Sequence, residues 1–257
     1  ANDLFITATA SKTTVHEQEA ILLTYKVYTV VNLRQLYGKM PDLKGFHTQE
    51  VELPQQKTFT LEHYKGRNYN TTVWSQYVLF PQQTGKLEIP SITFDGVVAQ
   101  QTISDDPFDA FFNGGGYVEV KKKITTPKVV INVQPLPAKP AGFSGAVGEF
   151  KLASSINATD VKTNDAVTIK LTLSGTGNMK LIGTPEVKFP QDFEIYDPKV
   201  TDDYKLTNSG LTGTKTFEYL AIPRHAGNFT IPAIEFTYFD LKSNSYKIGR
   251  ASCRERV

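Results

Sequence analysis

The 257-residue chain has a single cysteine, Cys253, a single tryptophan, Trp74, and only two methionines. One thiol excludes an internal disulfide framework and leaves too few sulfur ligands for a structural zinc site. No run of apolar residues is long enough to span a bilayer as a helix, and the first residues lack the basic and apolar regions of a signal peptide. The histidines, His16, His47, His63 and His225, fall in four separate segments with no HExxH or other paired ligand spacing, so no metal site is expected. No G-x-S-x-G nucleophile elbow is present. "GFSGAVG" (142–148) only approximates one inside a proline-rich stretch and reads as a flexible joint. "SGTGNMK" (174–180) is glycine-rich, but a phosphate cradle needs a helix to follow it, and strand-like residues flank it instead. It reads as a strand-to-strand turn. No catalytic residue and no cofactor is assigned.

The last ten residues, "IGRASCRERV", break the pattern of the rest, hold the lone cysteine and resemble the translation of a common short-read sequencing adapter. Residues 248–257 are therefore set outside the fold. Without them the basic count falls from 28 to 25 and the acidic count from 26 to 25, so the formal charge falls from +2 to about zero. A chain of that balance gives no electrostatic reason to expect nucleic acid.

What is present is β-forming. Thr, Val, Tyr and Phe are plentiful, and Gly and Pro recur between short apolar segments. Ile21, Leu23, Tyr25 and Val27 alternate onto one face, as do Val167, Ile169, Leu171 and Leu173. The chain also repeats itself. "YVLFPQQTGKLEIPSITFDG" (77–96) returns as "YLAIPRHAGNFTIPAIEFTY" (219–238), pairing Tyr77 with Tyr219, Pro81 with Pro223, Gly85 with Gly227 and Ile89-Pro90 with Ile231-Pro232. Upstream, "SKTTVHEQEAILLTYKVYTVVNLRQL" pairs with "NATDVKTNDAVTIKLTLSGTGNMKLI", and "MPDLKGF" with "FPQDFEI". The side chains between the shared Pro and Gly differ, so "FPQQTGKLEIP" reads as a scaffold hairpin and not a binding loop.

Two copies of a strand-rich unit predict an all-β chain of two tandem immunoglobulin-like antiparallel β-sandwich domains. The expected divisions are 1–134 for the first domain, 135–145 for a stiff linker carrying Pro135, Pro137 and Pro140, and 146–247 for the second. The only substantial segment without a counterpart is the insertion "SDDPFDAFFNGGG" (104–116). Its Phe108, Phe111 and Phe112 would share one side of a short helical turn among Asp105, Asp106 and Asp109. These rings either pack on their own domain or meet a partner, and Phe108, Asp109, Phe111 and Phe112 are the candidate partner-binding residues. Lys121–Lys123 read as the solubilising charge of an exposed strand, with a membrane surface as the functional alternative.

Over nearly the whole length the chain resembles the BatD family of the bacterial aerotolerance (Bat) operon, and especially its Bacteroides-type members. The stretches that carry the resemblance include "EAILLTYKVYTVVNLRQLYGKMPDLKGFHTQEVELPQQ", "WSQYVLFPQQTGKLEIPSITFDG", "DPFDAFFNGG", "PLPAKPAGFSGAVGEF", "GTGNMKLI" and "YLAIPRHAGNFTIPAIEFTYFD". The resemblance implies a non-enzymatic envelope protein, exported by a signal peptide, with immunoglobulin-like domains on the periplasmic side of the cytoplasmic membrane. It further implies a C-terminal membrane helix and a preceding domain outside this segment. The partners it implies are the von Willebrand factor A-domain and tetratricopeptide proteins and the MoxR-type ATPase system of the same operon, and the process is tolerance of oxygen or envelope stress. A different reading from composition alone is a surface glycan-binding or adhesin module, which clustering of Tyr64, Tyr69 and Trp74 on one exposed face would support.

Overall fold

The computed structural model describes residues 2–101, 105–112 and 116–252, without the side chains of residues 109 and 110. The chain is all-β and divides into two compact units, Ala1–Val15 with Ile21–Gln134, and His16–Ala20 with Pro135–Val257. The first unit contains β1 (Leu4–Ala10), β2 (Thr14–His16), β3 (Ile21–Thr29), β4 (Asn32–Tyr37), β5 (Phe46–Glu50), β6 (Thr60–Tyr64) and β7 (Arg67–Pro81). It continues with β8 (Gly85–Ile89), β9 (Thr93–Gln101), the short helix α1 (Pro107–Phe112), β10 (Tyr117–Thr125) and β11 (Val129–Gln134). The second contains β12 (Phe143–Ile156), β13 (Val167–Gly177), β14 (Phe193–Ile195), β15 (Lys199–Thr207), β16 (Gly210–Pro223), β17 (Ile234–Asp240) and β18 (Ser245–Ala251).

The first unit has three sheets, ordered β1-β3-β7-β5 with β6 also on β7, β10-β9-β4, and β2-β11-β8. Their inner faces share one core. Ile21, Leu23, Tyr25 and Val27 of β3 are fully buried, and they pack with Leu79, Ile89, Phe94, Ile124 and Ile131 from the other strands. Each such side chain contributes about 1.5–3 kcal/mol by leaving water. The alternation in β3 therefore fixes which face of the sheet is dry.

The second unit repeats the plan. β12·β13, β13·β16, β14·β16, β15·β16 and β17·β18 stand where the first unit has β1·β3, β3·β7, β5·β7, β6·β7 and β9·β10. Val167, Ile169 and Leu171 of β13 are again fully buried, against Phe217 and Tyr219. The copies part at one edge. β9 is flanked by β4, antiparallel, with Leu36 opposite Gly96. β17 is flanked by the first half of β12, running parallel, with Phe143 opposite Thr237. This parallel pair arises because β12 is long enough to serve β13 with one half and β17 with the other.

Several local expectations are corrected. "FPQQTGKLEIP" is not a hairpin, because β7 and β8 belong to different sheets and β8 pairs with β11. Pro81 lies opposite Phe46 and the Gln82 N–H donates to the Gly45 carbonyl at 2.7 Å. Gly85, at φ +98°, then lets the chain turn toward the other sheet. The second copy ends β16 in the same way, with Pro223 opposite Phe193 and the Arg224 N–H on the Asp192 carbonyl at 3.0 Å.

"GFSGAVG" is not a joint either, since residues 143–148 lie in β12 with Ala146 and Val147 buried. Nor is "SGTGNMK" a turn through its glycines. Ser174–Gly177 belong to β13, and the row Phe150, Gly175, Gly213, Tyr204 crosses four strands. Gly175 and Gly213 both adopt φ +150°, and a Cβ built on them would stand 2.0 Å from the Glu149 oxygen and 2.2 Å from the Asp203 oxygen. Only glycine fits there. Asn178, also buried, closes the end of the strand by accepting the Val147 N–H at 2.8 Å and donating to the Gly145 carbonyl at 2.9 Å.

The segment 135–142 is not a detached spacer. Leu136 is buried with Val147 and Phe239, its N–H donates to Glu17 at 3.0 Å, and the Tyr246 hydroxyl donates to the Pro137 carbonyl at 2.7 Å. At the other end, β18 runs past the boundary drawn at 247: Ile248 lies opposite Thr237 and Ala251 opposite Ile234. Main-chain pairing at a sheet edge asks little of side-chain identity, so a segment foreign in composition still completes the ladder. Residues 253–257, with the cysteine, lie outside the described residues.

Two stability outcomes follow. Gly175→Ala should cost about 2 kcal/mol or more in urea unfolding, whereas Gly183→Ala, where an added Cβ meets nothing within 4 Å, should change stability by less than about 1 kcal/mol; equal effects would remove the steric account. Burial pushes the Tyr219 phenol up to about 12 and raises Tyr25 further, with Tyr77 adding to the effect. Unfolded phenols ionise near pH ~10, so the folded state holds these protons longer, and stability present below that pH is lost as pH rises toward 12. Tyr219→Phe, which also loses the hydrogen bond to the Pro185 carbonyl, should flatten that alkaline decline at a cost of about 1 kcal/mol at neutral pH; an unchanged alkaline slope would refute the assignment.

Candidate interaction surface

The insertion between β9 and β10 carries α1, and its start is written in three residues. Pro107 occupies the first helical position, where its missing N–H costs nothing, and the Asp106 carboxylate accepts the Phe108 N–H at 3.0 Å. The helix is only six residues long, so its rings gather on one another. Phe108 and Phe112, four apart, have centroids 4.6 Å apart, and Phe111 meets Phe112 at 5.2 Å. None of the three is covered. Phe108 is 70% exposed, Phe111 82% and Phe112 66%, where an aromatic side chain ordinarily finds a core. Asp105 is exposed beside them, the side chain of Asp109 lies outside the described residues, and so do residues 104 and 113–115.

Further down the same pair of strands lies a second surface. β10 is the edge of its sheet, and Lys121 and Lys123 project from one face while Lys122 takes the other. The register sets Lys123, Asp95 and Tyr37 in one row across β10, β9 and β4, and Lys121, Val97 and Gln35 in the next. Tyr37 is 70% exposed. Together these rows line a groove of about 680 Å³. Sequence reading treated the lysines as a solubilising run and passed over Tyr37, because only the β4–β9 register brings them together.

Tyr64 and Tyr69 do meet, but in the company of Phe5 and Tyr28. Phe5 stacks on Tyr28 at 4.8 Å, Tyr28 meets Tyr64 at 4.7 Å, and Tyr69 stands edge-on to Phe5 at 5.3 Å. Tyr28 and Tyr69 are buried by this packing. Charged groups cap the cluster: Lys26 pairs with Glu62 at 2.6 Å and Arg67 with Asp3 at 2.9 Å. Hydrogen bonds from Lys26 and Thr71 hold the Glu62 carboxyl below the usual carboxylate range. Trp74 is elsewhere. It sits at the bulge where Tyr25 faces Ser75 and Lys26 faces Val73, and it packs against the first unit's core under the Lys57 ammonium. The three-residue platform that a glycan site would need is therefore not assembled, since its rings are spent on one another and on the core.

The histidines stay apart: His16 lies 3.4 Å from Glu19, His63 meets Asn68 at 2.9 Å, and His47 lies beside Gln49. The second unit has its own groove, of about 620 Å³, between Gly183–Glu186 and Pro232–Phe236. It was not visible in the sequence, because it is a space between a strandless segment and the start of β17.

A family model described as "BatD DUF11 like domain" matches residues 8–133 and 154–249. No curated protein matches the chain. Among solved structures, the type II cohesin dyad from the adaptor ScaA scaffoldin of Acetivibrio cellulolyticus aligns at 9% identity over 95% of this chain and 92% of that one, with a TM-score of 0.23. The adhesin InvE of Yersinia pseudotuberculosis aligns at 9% identity over 97% of this chain and 58% of that one, with a TM-score of 0.20. Scores that low carry no argument about fold or function.

If the three rings lie free in solution, Phe111→Ser with Phe112→Ser should leave urea and thermal unfolding within about 0.5 kcal/mol of the parent. A loss of several times that amount would mean that the rings pack inward.

Proposed function

The chain belongs to the BatD family, whose members are membrane-associated envelope proteins, and on that premise we propose that it is a non-enzymatic interaction protein of a membrane-associated Bat complex. One observation carries the proposal. α1 presents Phe108, Phe111 and Phe112 almost uncovered, on an insertion that the otherwise similar second unit lacks. By the area that a buried aromatic removes from water, the three rings expose roughly 400 Å² of apolar surface, about half of what one partner contributes to a standard interface. A surface of that size on a soluble unit fits a docking role.

The family resemblance supplies the partners of this reading: the von Willebrand factor A-domain and tetratricopeptide proteins of the operon, acting with a MoxR-type ATPase in oxygen tolerance or envelope stress. The periplasmic side of the cytoplasmic membrane is the compartment that suits it. Among the described residues no helix is long and apolar enough to cross a membrane. Among the described residues no cluster of His, Cys, Asp and Glu is placed to hold a metal ion. The glycan-binding reading loses its specific support because Trp74 is separated from Tyr64 and Tyr69.

Used as bait on solubilised membranes of its own cell, the chain should recover the von Willebrand factor A-domain or tetratricopeptide products of the operon. The Phe111→Ser, Phe112→Ser variant, folded as above, should lose most of that capture. Recovery of none of these products by the parent would overturn the proposal.

A further inference from the structure

Resting on the reading of α1 as a docking element, we infer that one partner it takes is a second copy of this chain, at the groove on the β4–β9–β10 face. The two surfaces answer each other in chemistry. α1 offers three exposed phenylalanines beside the exposed carboxylate of Asp105 and the capping carboxylate of Asp106. The groove offers an apolar floor and wall, Val97 and Tyr37, rimmed by Lys121 and Lys123. An apolar knob with acids at its edge fits an apolar groove with cations at its edge.

The groove's charges are also uncommitted. The side chains of Lys121, Lys123, Gln35 and Tyr37 have no ion pair or hydrogen bond among the described residues, and neither has that of Asp95, although the register sets it opposite Lys123. Asp95 is the one carboxylate in the lining and reduces the rim's positive excess without cancelling it. A protein with arginine or lysine around a hydrophobic slot would suit α1 equally; the copy is preferred because the slot is present on this same unit, in a volume of about 680 Å³.

The contact joins unlike surfaces, so after pairing one copy keeps a free groove and the other a free knob. Such a head-to-tail arrangement grows into a ring or a chain and does not stop at a two-fold dimer. With roughly 400 Å² of apolar surface on the knob, the contact sits at the weak end of specific interfaces.

Sedimentation velocity of the chain from micromolar to millimolar concentration tests this. The average mass should rise with concentration beyond that of a dimer, and added salt should suppress the rise. Phe111→Ser with Phe112→Ser should leave a monomer. Lys121→Glu with Lys123→Glu should weaken association about tenfold or more, and Asp105→Lys alone should weaken it less. Combining Asp105→Lys with Lys123→Glu should recover association relative to Lys123→Glu alone, which a merely structural effect of either change would not do. A monomer at every concentration, a plateau at the dimer, or indifference to the lysine changes overturns the inference. If the monomeric chain still captures the operon's products through α1, the docking role stands and only the copy is excluded; if the phenylalanine changes affect neither, both fall.

Discussion

The structure hangs on a single long strand in each unit, β7 in the first and β16 in the second, and on the register that each keeps with its central neighbour. β7 is paired by β3, β5 and β6, and β16 by β13, β14 and β15. Because side chains alternate with a period of two, a slip of one residue in β3·β7 would turn Ile21, Leu23, Tyr25 and Val27 outward together. That loss would far exceed the net stability of an ordinary domain. The register is therefore set by burial, and the flanking strands inherit their positions from it.

What was legible in the sequence was what this constraint writes directly. The alternating residues of β3 and β13 are buried as read, and the repeat corresponds to five matching strand pairs. The errors came from punctuation. Pro and Gly mark a change of direction, but they do not say whether the chain doubles back on its own strand or leaves for another sheet. Pro81 and Gly85 mark the second case. Gly175 and Gly213 mark neither; they sit in mid-strand because neighbouring carbonyls approach too closely for any Cβ. The stretch at 135–142 had a linker's prolines, yet Leu136 supplied the apolar contact that docks it.

The interaction surfaces show the same division. The helix cap, the ring spacing and the presence of an insertion could be read from residues 105–112 alone. The exposure of the rings could not, since three phenylalanines in sequence argue equally for a core. The groove was illegible for a different reason. Tyr37, Asp95 and Lys123 come from three strands, and the bulge between Leu33 and Gln35 shifts the pairing by one, so no spacing in the chain announces their row. The two units, alike in framework, differ where β9 carries α1 at one end and receives β4 along its side.

The double service of β12 has a bearing on how the units come to be formed. Pairing of Phe143 with Thr237 joins nearly the first and the last strands of the second unit, as pairing of β2 with β11 does in the first, and the first is complete once β11 has been made. Contacts of long sequence separation are slow to form, because the loop between them must be closed before they return anything. During synthesis the first unit, with α1 on display, can thus be finished and competent while the second still waits for β17.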